Sequence, residues 1–208
     1  MLTKEQYLAA PCRTSSLPFW KAITVAVPDT MRILHHDAFI GTYDEQYCDE
    51  AYFRLLHPMN QLPIPILPKG YCLCRVSLSD FASHINRCYS QIGMSEAELM
   101  RYTERDVYEP SLWVSVAEIE TNTVVATGIG ELDRQTGEGI LEWIQVSPNH
   151  RRKGLGKYLV SELLNRMKGK ADFVTVSGQC QNPTAPELLY RNCGFTGTDI
   201  WHVLRRKK

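Results

Sequence analysis

The stretch EWIQVSPNHRRKGLGKYLVSELL, residues 142–164, decides the fold of this chain. It opens with the strand-like run EWIQV, breaks at Pro148, and then carries leucines every four residues at Leu155, Leu159 and Leu163. A spacing of four places these leucines on one face of a helix. A strand that passes through a turn into an amphipathic helix predicts the first half of a βαβ unit.

The turn between this strand and this helix contains several cationic side chains and two glycines. Gly154 and Gly156 lie in the first turn of the helix, where unpaired amides and the helix dipole favour an anion. Glycine lets a large anion approach the backbone because it has no Cβ atom. The flanking cations are Arg151, Arg152, Lys153 and Lys157. The turn therefore predicts a phosphate or pyrophosphate site.

Two common nucleotide-binding motifs do not fit this turn. Leu159 stands where the dinucleotide fingerprint requires its third glycine, and the Walker spacing with its Ser or Thr after Lys is absent. The alternative is a glycine-rich turn with a solvated cluster of charges.

The elements around the turn predict an α+β fold. Residues 112–120, 123–133 and 139–146 have the pattern of strands, and the short links between them favour antiparallel pairing. The helix at residues 154–169 leads to a strand at 172–178, which makes a parallel pair with a right-handed crossover. A short helix at 184–195 and a strand at 199–206 follow. The expected sheet is mixed and mostly antiparallel, with a central βαβ unit.

Upstream of these strands the sequence predicts one more strand and two helices. Residues 70–78 read as a strand, and residues 79–91 as a helix that starts at a Ser/Asp cap. Residues 95–105 form a second helix with Ser95 and Glu98 in capping-box positions. Thr184 and Glu187 occupy the same positions in the later short helix.

The proline-rich run HPMNQLPIPILPKG, residues 57–70, divides the chain. Four prolines exclude a helix and weaken strand pairing, so this run predicts an extended connector. We therefore expect an N-terminal accessory segment (1–57), a connector (58–70) and a main domain (71–208). Within the accessory segment, residues 20–27 and 31–39 read as strands, 44–57 as a helix, and 12–20 as a stretch that docks onto the main domain.

Charge and composition exclude several classes of function. The 23 cations of the chain equal its 23 anions, and four of those cations are the last four residues, so the rest carries an excess of four negative charges. This balance gives no general case for nucleic-acid binding, and the basic tail is expected to be solvated and frayed. The N-terminus lacks the apolar core of a signal peptide, and no apolar run approaches a membrane span.

The seven cysteines are an odd number without framework spacing, which favours a reducing cytoplasm. Cys72 and Cys74, with His84 and Cys88 four residues apart, do not match a standard zinc pattern. We therefore expect no metal ion.

Two motifs resemble the GCN5-related N-acetyltransferase (GNAT) superfamily. RRKGLG fits its R/Q-x-x-G-x-G/A signature, with Arg151 as the first residue, and lies between a strand and a helix as in the family. APELLYRNCGF is similar to the family helix A-x-x-x-L-Y-x-x-x-G-F, here with Tyr190. The strand order agrees as well, and the resemblance covers roughly residues 71–208. It implies a GNAT-like three-layer fold and an N-acetyltransferase.

The resemblance also implies acetyl-coenzyme A as co-substrate. Its pyrophosphate would rest on the amides from Arg152 to Lys157, a stretch that includes Leu155. Its pantetheine arm would pair with the strand that holds Ile144, Gln145 and Val146. The amide of Val146 would then stabilise the oxyanion of a tetrahedral intermediate.

The same family pattern supplies candidates for proton transfer. Tyr190 matches the tyrosine that often donates to the coenzyme A sulfur, although packing alone is the alternative. Period-two alternation puts Glu142 on the side of Ile144 and Val146, which makes it a candidate general base or a rim carboxylate. Glu118 and Glu131 on neighbouring strands are alternatives for the base.

One position departs from the family pattern. The family often carries Asn seven residues before its tyrosine, where this chain has Pro183, so Asn182 is one residue out of place as a cofactor contact. Cys180 and Cys193 suggest a thiol nucleophile, yet neither has a nearby His in sequence. Direct transfer in a ternary complex is therefore favoured over a covalent enzyme intermediate.

The sequence predicts an amine acceptor, either a small molecule or a peptide, without naming it. The accessory segment and the helices of residues 79–105 are expected to shape its pocket. A homodimer is compatible with the sequence but not specified by it. The alternative function is a non-catalytic acyl-coenzyme A sensor or interaction module of the same fold.

Overall fold

Eight strands in the described part of the chain, residues 2–40, 43, 45–89 and 92–207 of the computed structural model, pair into one sheet. They are β1 Met31–His35, β2 Tyr47–His57, β3 Tyr71–Cys74, β4 Trp113–Glu118, β5 Val124–Asp133, β6 Glu138–Val146, β7 Phe173–Gln179 and β8 Thr196–Arg206. The helices are α1 Lys4–Ala9, α2 Pro11–Thr14, α3 Phe19–Thr24, α4 Leu78–Cys88, α5 Glu96–Thr103, α6 Leu155–Met167 and α7 Pro186–Arg191.

The strand order is β1-β8-β2-β7-β6-β5-β4-β3. Every neighbouring pair is antiparallel except β6 and β7, which are parallel and joined through α6. The mixed, mostly antiparallel sheet with a central βαβ unit is therefore confirmed. The β6–β7 pairing ends at Leu141 and Val176, so β6 continues beyond this point without a partner on that side.

Helix α6 covers one face of the sheet. Its leucines at 155, 159 and 163, together with Met167, are at most 1% exposed and pack into the main core with β5, β6 and β7. The predicted apolar stripe is confirmed, because a spacing of four turns these side chains toward the same surface.

Helices α4 and α5 cover the opposite face, where Phe81, Ile85 and Leu99 pack against Ile129 of β5. His84 fastens α4 to the sheet, since its Nδ1 lies 2.8 Å from Thr127 Oγ1 and its Nε2 lies 3.0 Å from Ser147 Oγ. Burial lowers the pKa of His84 to about 4, so this histidine is neutral at pH 7.

The predicted capping box is present at the start of one helix and absent at the start of another. The capping box of Ser95 and Glu98 at α5 is confirmed. Thr184 does not cap α7, because the N-cap is Ala185 in the left-handed conformation and Thr184 bonds to Asn182 instead. Glu187 pairs with Arg191 one turn later.

The N-terminal segment differs most from expectation. Residues 47–57 form β2 rather than a helix, and Phe19–Thr24 forms α3 rather than a strand. Strand β2 lies between β7 and β8, so both of its edges are paired, and its consecutive residues Phe53, Arg54 and Leu55 are all buried, which places buried side chains on both faces. This burial on two faces removes the simple alternation by which a strand is recognised. The strand at 31–39 is confirmed only for β1, Met31–His35.

The proline-rich connector runs along α6. Asn165 of this helix donates to the carbonyl of Pro63 at 2.8 Å, and Met59, Leu62 and Leu67 pack against the main core. The three-part division of the chain stays a prediction, although β1 and β2 of the first part belong to the same sheet as the rest.

Two smaller expectations are corrected in extent. The strand predicted at 70–78 covers only β3, Tyr71–Cys74. The basic tail is not wholly frayed, since Arg205 and Arg206 lie in β8. Residues 44, 90, 91 and 208, which the predicted helices and tail included, lie outside the described residues.

Candidate active site

The turn before α6 presents a row of unpaired backbone amides. Arg152 and Gly154 have left-handed backbones, with φ of 63° and 86°. Within the described chain no group accepts a hydrogen bond from the amides of residues 152–157, and the first amide that bonds back is that of Tyr158, to Gly154. Because free amides and the positive end of the helix dipole coincide, this turn is suited to bind an anion.

The predicted cations surround these amides. Arg152, Lys153 and Lys157 are exposed, whereas Arg151 is half-buried and donates from Nε to the carbonyl of Val146 at 3.1 Å. Arg151 therefore ties the turn to the end of β6, and the exposed cations remain available to a polyanion.

The unpaired edge of β6 leads from this turn into the molecule. The side chains of Ile144 and Val146 face the α6 core, and Gln145 is buried on the other face, where its Nε2 donates to Thr127 Oγ1. The hydroxyl of Tyr89 lies 3.4 Å from the carbonyl oxygen of Ile144. Backbone groups on this edge are thus accessible to polar partners from the gap between β6 and β7.

A β-bulge changes which residues share a face of β6. The register with β5 shifts between Gly128 and Gly130, so Glu142 and Trp143 both lie opposite Ile129. Trp143 packs with α4 and α5, and Glu142 also points to that side, whereas Ile144 faces α6. The alternation that placed Glu142 on the side of Ile144 and Val146 is therefore wrong, because the extra residue reverses the pattern.

Glu142 and Glu131 converge on one amine. Lys21 of α3 forms an ion pair with Glu142, and its Nζ lies 4.0 Å from Glu131 Oε2. Arg105 Nη1 donates to Glu131 Oε1 at 2.6 Å. Glu131 is 3% exposed at its side chain, and its Oε2 atom has no hydrogen-bond partner within the described residues.

The electrostatics of this pair favour proton exchange near neutral pH. Burial, reinforced by the neighbouring charge of Glu142, raises the pKa of Glu131 to about 7, against the opposing effects of Lys21 and Arg105. A carboxyl group with this pKa gains and loses its proton at the pH of the cell.

Tyr190 lies on α7, across the gap from β6. Its ring packs against Phe53 and Phe195, and no described residue forms a hydrogen bond with its hydroxyl. Burial raises the pKa of Tyr190, and nearby Tyr89 adds to this effect. The preceding Leu189 contacts Gly156, since a Cβ atom on that glycine would lie 3.1 Å from Leu189 Cδ2. Tyr190 is thus a protonated phenol beside the anion-binding turn.

Other predicted residues have local roles or lie elsewhere. The side-chain oxygen of Asn182 accepts from the amide and hydroxyl of Thr184, which shapes the loop before α7. Glu118 lies 3.9 Å from His150, at the turn end of the sheet and away from Glu131. Cys193 is buried, and burial raises the pKa of its thiol, which does not favour a thiolate nucleophile.

A cavity of about 390 Å³ lies next to the carboxylates. Arg105 connects the cavity to the carboxylates, since it lines the cavity and binds Glu131. Trp143 donates to the hydroxyl of Tyr102 at 3.1 Å, and together these aromatic rings form part of the wall. The other lining residues include Ile92, Met94, Glu98 and Arg101.

Sequence reasoning missed Lys21, Arg105, Trp143 and Tyr89 as parts of this site. None of them belongs to a motif, and Lys21 comes from a segment whose structure was predicted wrongly. Trp143 was adjacent to Glu142 in the quoted stretch, but only the bulge turns both side chains toward the same face of the sheet.

The features present fit coenzyme A. Unpaired amides and cations at α6 suit a pyrophosphate, and the unpaired edge of β6 suits an amide-rich arm that pairs like a strand. In the part of the chain that the structure covers, no three His, Cys, Asp or Glu residues are grouped to hold a metal ion. Among the same residues, no helix is long and apolar enough to cross a membrane.

The model of the acetyltransferase (GNAT) family matches residues 78–195. A GCN5-related N-acetyltransferase from Sphaerobacter thermophilus is similar in fold, with a TM-score of 0.64, 20% identity, and coverage of 79% of this chain and 53% of that one. A GCN5-related N-acetyltransferase from Kribbella flavida has a TM-score of 0.57 at 16% identity, with coverage of 86% and 68%. Ard1 from Thermoplasma volcanium has a TM-score of 0.52 at 16% identity, with coverage of 67% and 99%.

The identities to these three solved structures are 20%, 16% and 16%. At such identities they show the fold, and the chain spans about half the length of the Sphaerobacter protein. No curated protein sequence matches this chain.

Proposed function

Because this chain belongs to the acetyltransferase (GNAT) family, whose chemistry is acyl transfer, we propose that it transfers acetyl from acetyl-coenzyme A to a primary amine. The observation that carries the proposal is the arrangement along β6. Unpaired amides and cations follow one end of its free edge, and Glu142, with Glu131 of β5 beside it, lies toward the other end.

The amides of residues 152–157, with Arg152, Lys153 and Lys157, would hold the pyrophosphate of the coenzyme. Bound acetyl-coenzyme A supplies an activated acyl thioester. Ile144, Gln145 and Val146 would position its arm through backbone hydrogen bonds, and the amide of Val146 would donate to the thioester carbonyl oxygen.

We assign proton transfer to the pair of Glu142 and Glu131 on one side of the gap between β6 and β7, and to Tyr190 on the other side. Glu142 takes one proton of the acceptor ammonium, and Glu131 next to it, whose pKa is raised to about 7, takes the second as the amide forms. Tyr190 donates a proton to the leaving sulfur, which its raised pKa supports by keeping the hydroxyl protonated.

The acceptor would lie in the cavity between α5 and β6. Its amine would point to Glu131 and Glu142, and its body would contact Trp143 and Tyr102. Both acidic and basic side chains line this space, which favours a small polar amine or a peptide. The free thiols of all seven cysteines support a reducing compartment, and we propose the cytoplasm.

The test is thiol release from acetyl-coenzyme A with a broad panel of amines, beside thermal-shift titrations of coenzyme A and acetyl-coenzyme A. We expect stabilisation by both and turnover on one class of amine. Glu142→Gln should lower turnover and retain coenzyme binding, whereas the exposed Glu120→Gln should change neither. Binding without turnover on any amine would favour the sensor, and no binding would contradict the assigned anion site.

A further inference from the structure

The acceptor side of the site already contains an amine of the same chain. Lys21 projects from α3 to Glu142, at the first residue of β6 after its pairing with β7 ends. Its side chain is 17% exposed, and α3 is held in place because the amide of Phe19 donates to Glu138 Oε2 at 3.2 Å. The fold therefore positions this amine rather than leaving it on a free tail.

The surroundings of Lys21 are those proposed for a substrate amine. One carboxylate pairs with its Nζ, and a second lies 4.0 Å away with an oxygen that is buried and lacks a hydrogen-bond partner within the described residues. A purely structural ion pair would be expected to satisfy both oxygens, since an unpaired buried oxygen is costly. Glu131 Oε2 faces the amine of Lys21 and accepts no hydrogen bond within the described residues, so it is available to take a proton from that amine.

We propose that Lys21 is an acyl acceptor of the protein's own site, modified by intramolecular transfer from acetyl-coenzyme A. This inference rests on the proposed function. The ammonium of Lys21 gives one proton to Glu142, its Nζ forms a bond with the acyl carbon, and the carbon–sulfur bond breaks. A second proton, lost from Nζ as the amide forms, passes to Glu131 or solvent, and the coenzyme leaves as a thiol with the proton that Tyr190 donates.

Acylation changes the site itself. The amide product has no positive charge, so Glu142 and Glu131 lose their shared partner. Arg105 still pairs with Glu131, but Glu142 loses the cation beside it, so the acylated protein should unfold at a lower temperature than the unmodified protein.

The experiment incubates the purified chain with acetyl-coenzyme A and no other amine, followed by intact mass and peptide mapping. We expect one acetyl group on Lys21, at least about tenfold faster than on the exposed Lys4 because the amine is held in place. The fraction modified per unit time should not change when the protein is diluted. Unfolding temperatures of modified and unmodified protein supply a readout that does not depend on turnover.

Matched variants separate the explanations. Lys21→Arg keeps the positive charge and should abolish the modification, whereas Lys4→Arg should leave it unchanged. Equal labelling of Lys4 and Lys21, or labelling that Glu142→Gln does not slow, would show solution chemistry and overturn the inference. No label on Lys21, in a protein that binds coenzyme A and acetylates free amines, would overturn the inference and leave the proposed function standing. Absence of coenzyme binding would overturn both.

Discussion

Burial keeps the hydroxyl of Tyr190 protonated. Its ring lies in the core between Phe53 and Phe195, and burial raises its pKa, so the phenol stays protonated at neutral pH. The hydroxyl lacks a hydrogen-bond partner among the described residues, which leaves its proton free for a bound group.

Tyr190→Phe should lower the turnover number roughly 100-fold, because a positioned acid contributes about that much, while coenzyme affinity stays within about threefold. Thiol-release kinetics and thermal-shift titration measure the two quantities. Tyr158→Phe is the matched control, since this buried tyrosine also has no hydrogen-bond partner in the described chain and lies on α6 near Glu162 and Arg166. Equal rates for Tyr190→Phe and the wild type would show that Tyr190 has only a packing role.

Glu131 should make stability depend on pH. Its carboxyl holds a proton up to about pH 7 when folded but only to about 4.5 when unfolded. The folded state therefore binds more protons between these values, and its stability falls as pH rises through them, by about 1.4 kcal/mol for each unit of pKa difference.

Glu131→Gln cannot titrate, so its free energy of unfolding should lack this decline. Chemical denaturation at several values between about pH 5 and pH 8 compares it with the wild type. Glu120→Gln, at an exposed position after β4, should follow the wild-type curve. If the Glu131→Gln and wild-type curves run parallel, the raised pKa is wrong.

At the scale of elements, α6 connects the anion site to the core. Its apolar stripe is buried by the sheet, and this packing fixes the position of its N-terminal amides. Gly154 precedes the helix with φ of 86°, and Gly169 follows it with φ of 72°. The two glycines have similar left-handed backbones but lie at opposite ends of the helix.

Gly154→Ala and Gly169→Ala should each destabilise the fold by about 1 kcal/mol, because a Cβ atom is unfavourable in the left-handed region. Only Gly154→Ala should also weaken coenzyme A binding, since its new methyl group lies at the anion site. Denaturation curves measure the first effect and thermal-shift titration the second. Equal coenzyme affinity in the two variants would contradict the assigned site.

At the scale of the whole molecule, a buried polar cluster joins the N-terminal segment to the sheet. Arg54 of β2 lies 3.4 Å from Glu138 of β6 and 2.8 Å from the hydroxyl of Tyr7, which donates to Glu138 at 2.7 Å. Thr175 of β7 also donates to Glu138. This cluster therefore holds the N-terminal segment, β2, β6 and β7 together, although they are distant in sequence.

Arg54→Met should destabilise the protein by about 3–5 kcal/mol, because it leaves the carboxyl of Glu138 buried without its cation. Arg205→Met is the control, since its ion pair with Glu50 is exposed and should contribute at most about 1 kcal/mol. Urea denaturation of both variants measures the difference. Similar losses for the two would show that the cluster does not hold the segment.

The family, the order of elements along residues 71–208 and the pairing of β4, β5, β6 and β7 were predictable. Alternation marked β4, β5 and β6, a spacing of four marked α6, and short turns fixed which strands are antiparallel. The glycine-rich turn that we propose to bind an anion was recognisable for the same reason, because glycines and cations at a helix start act locally. These properties depend on neighbours a few residues apart, so one sequence is enough to find them.

The reaction centre was decided by tertiary structure. The bulge at Glu142 and Trp143 depends on pairing with β5, and the place of β2 between β7 and β8 depends on strands more than a hundred residues away. Lys21 meets Glu142 only because α3 docks on that face of the sheet. The sequence by itself determined the family, the order of the main elements and the glycine-rich turn that we propose to bind an anion. Long-range packing decided which acids face which amine, since contacts between distant segments leave no periodic pattern in either one.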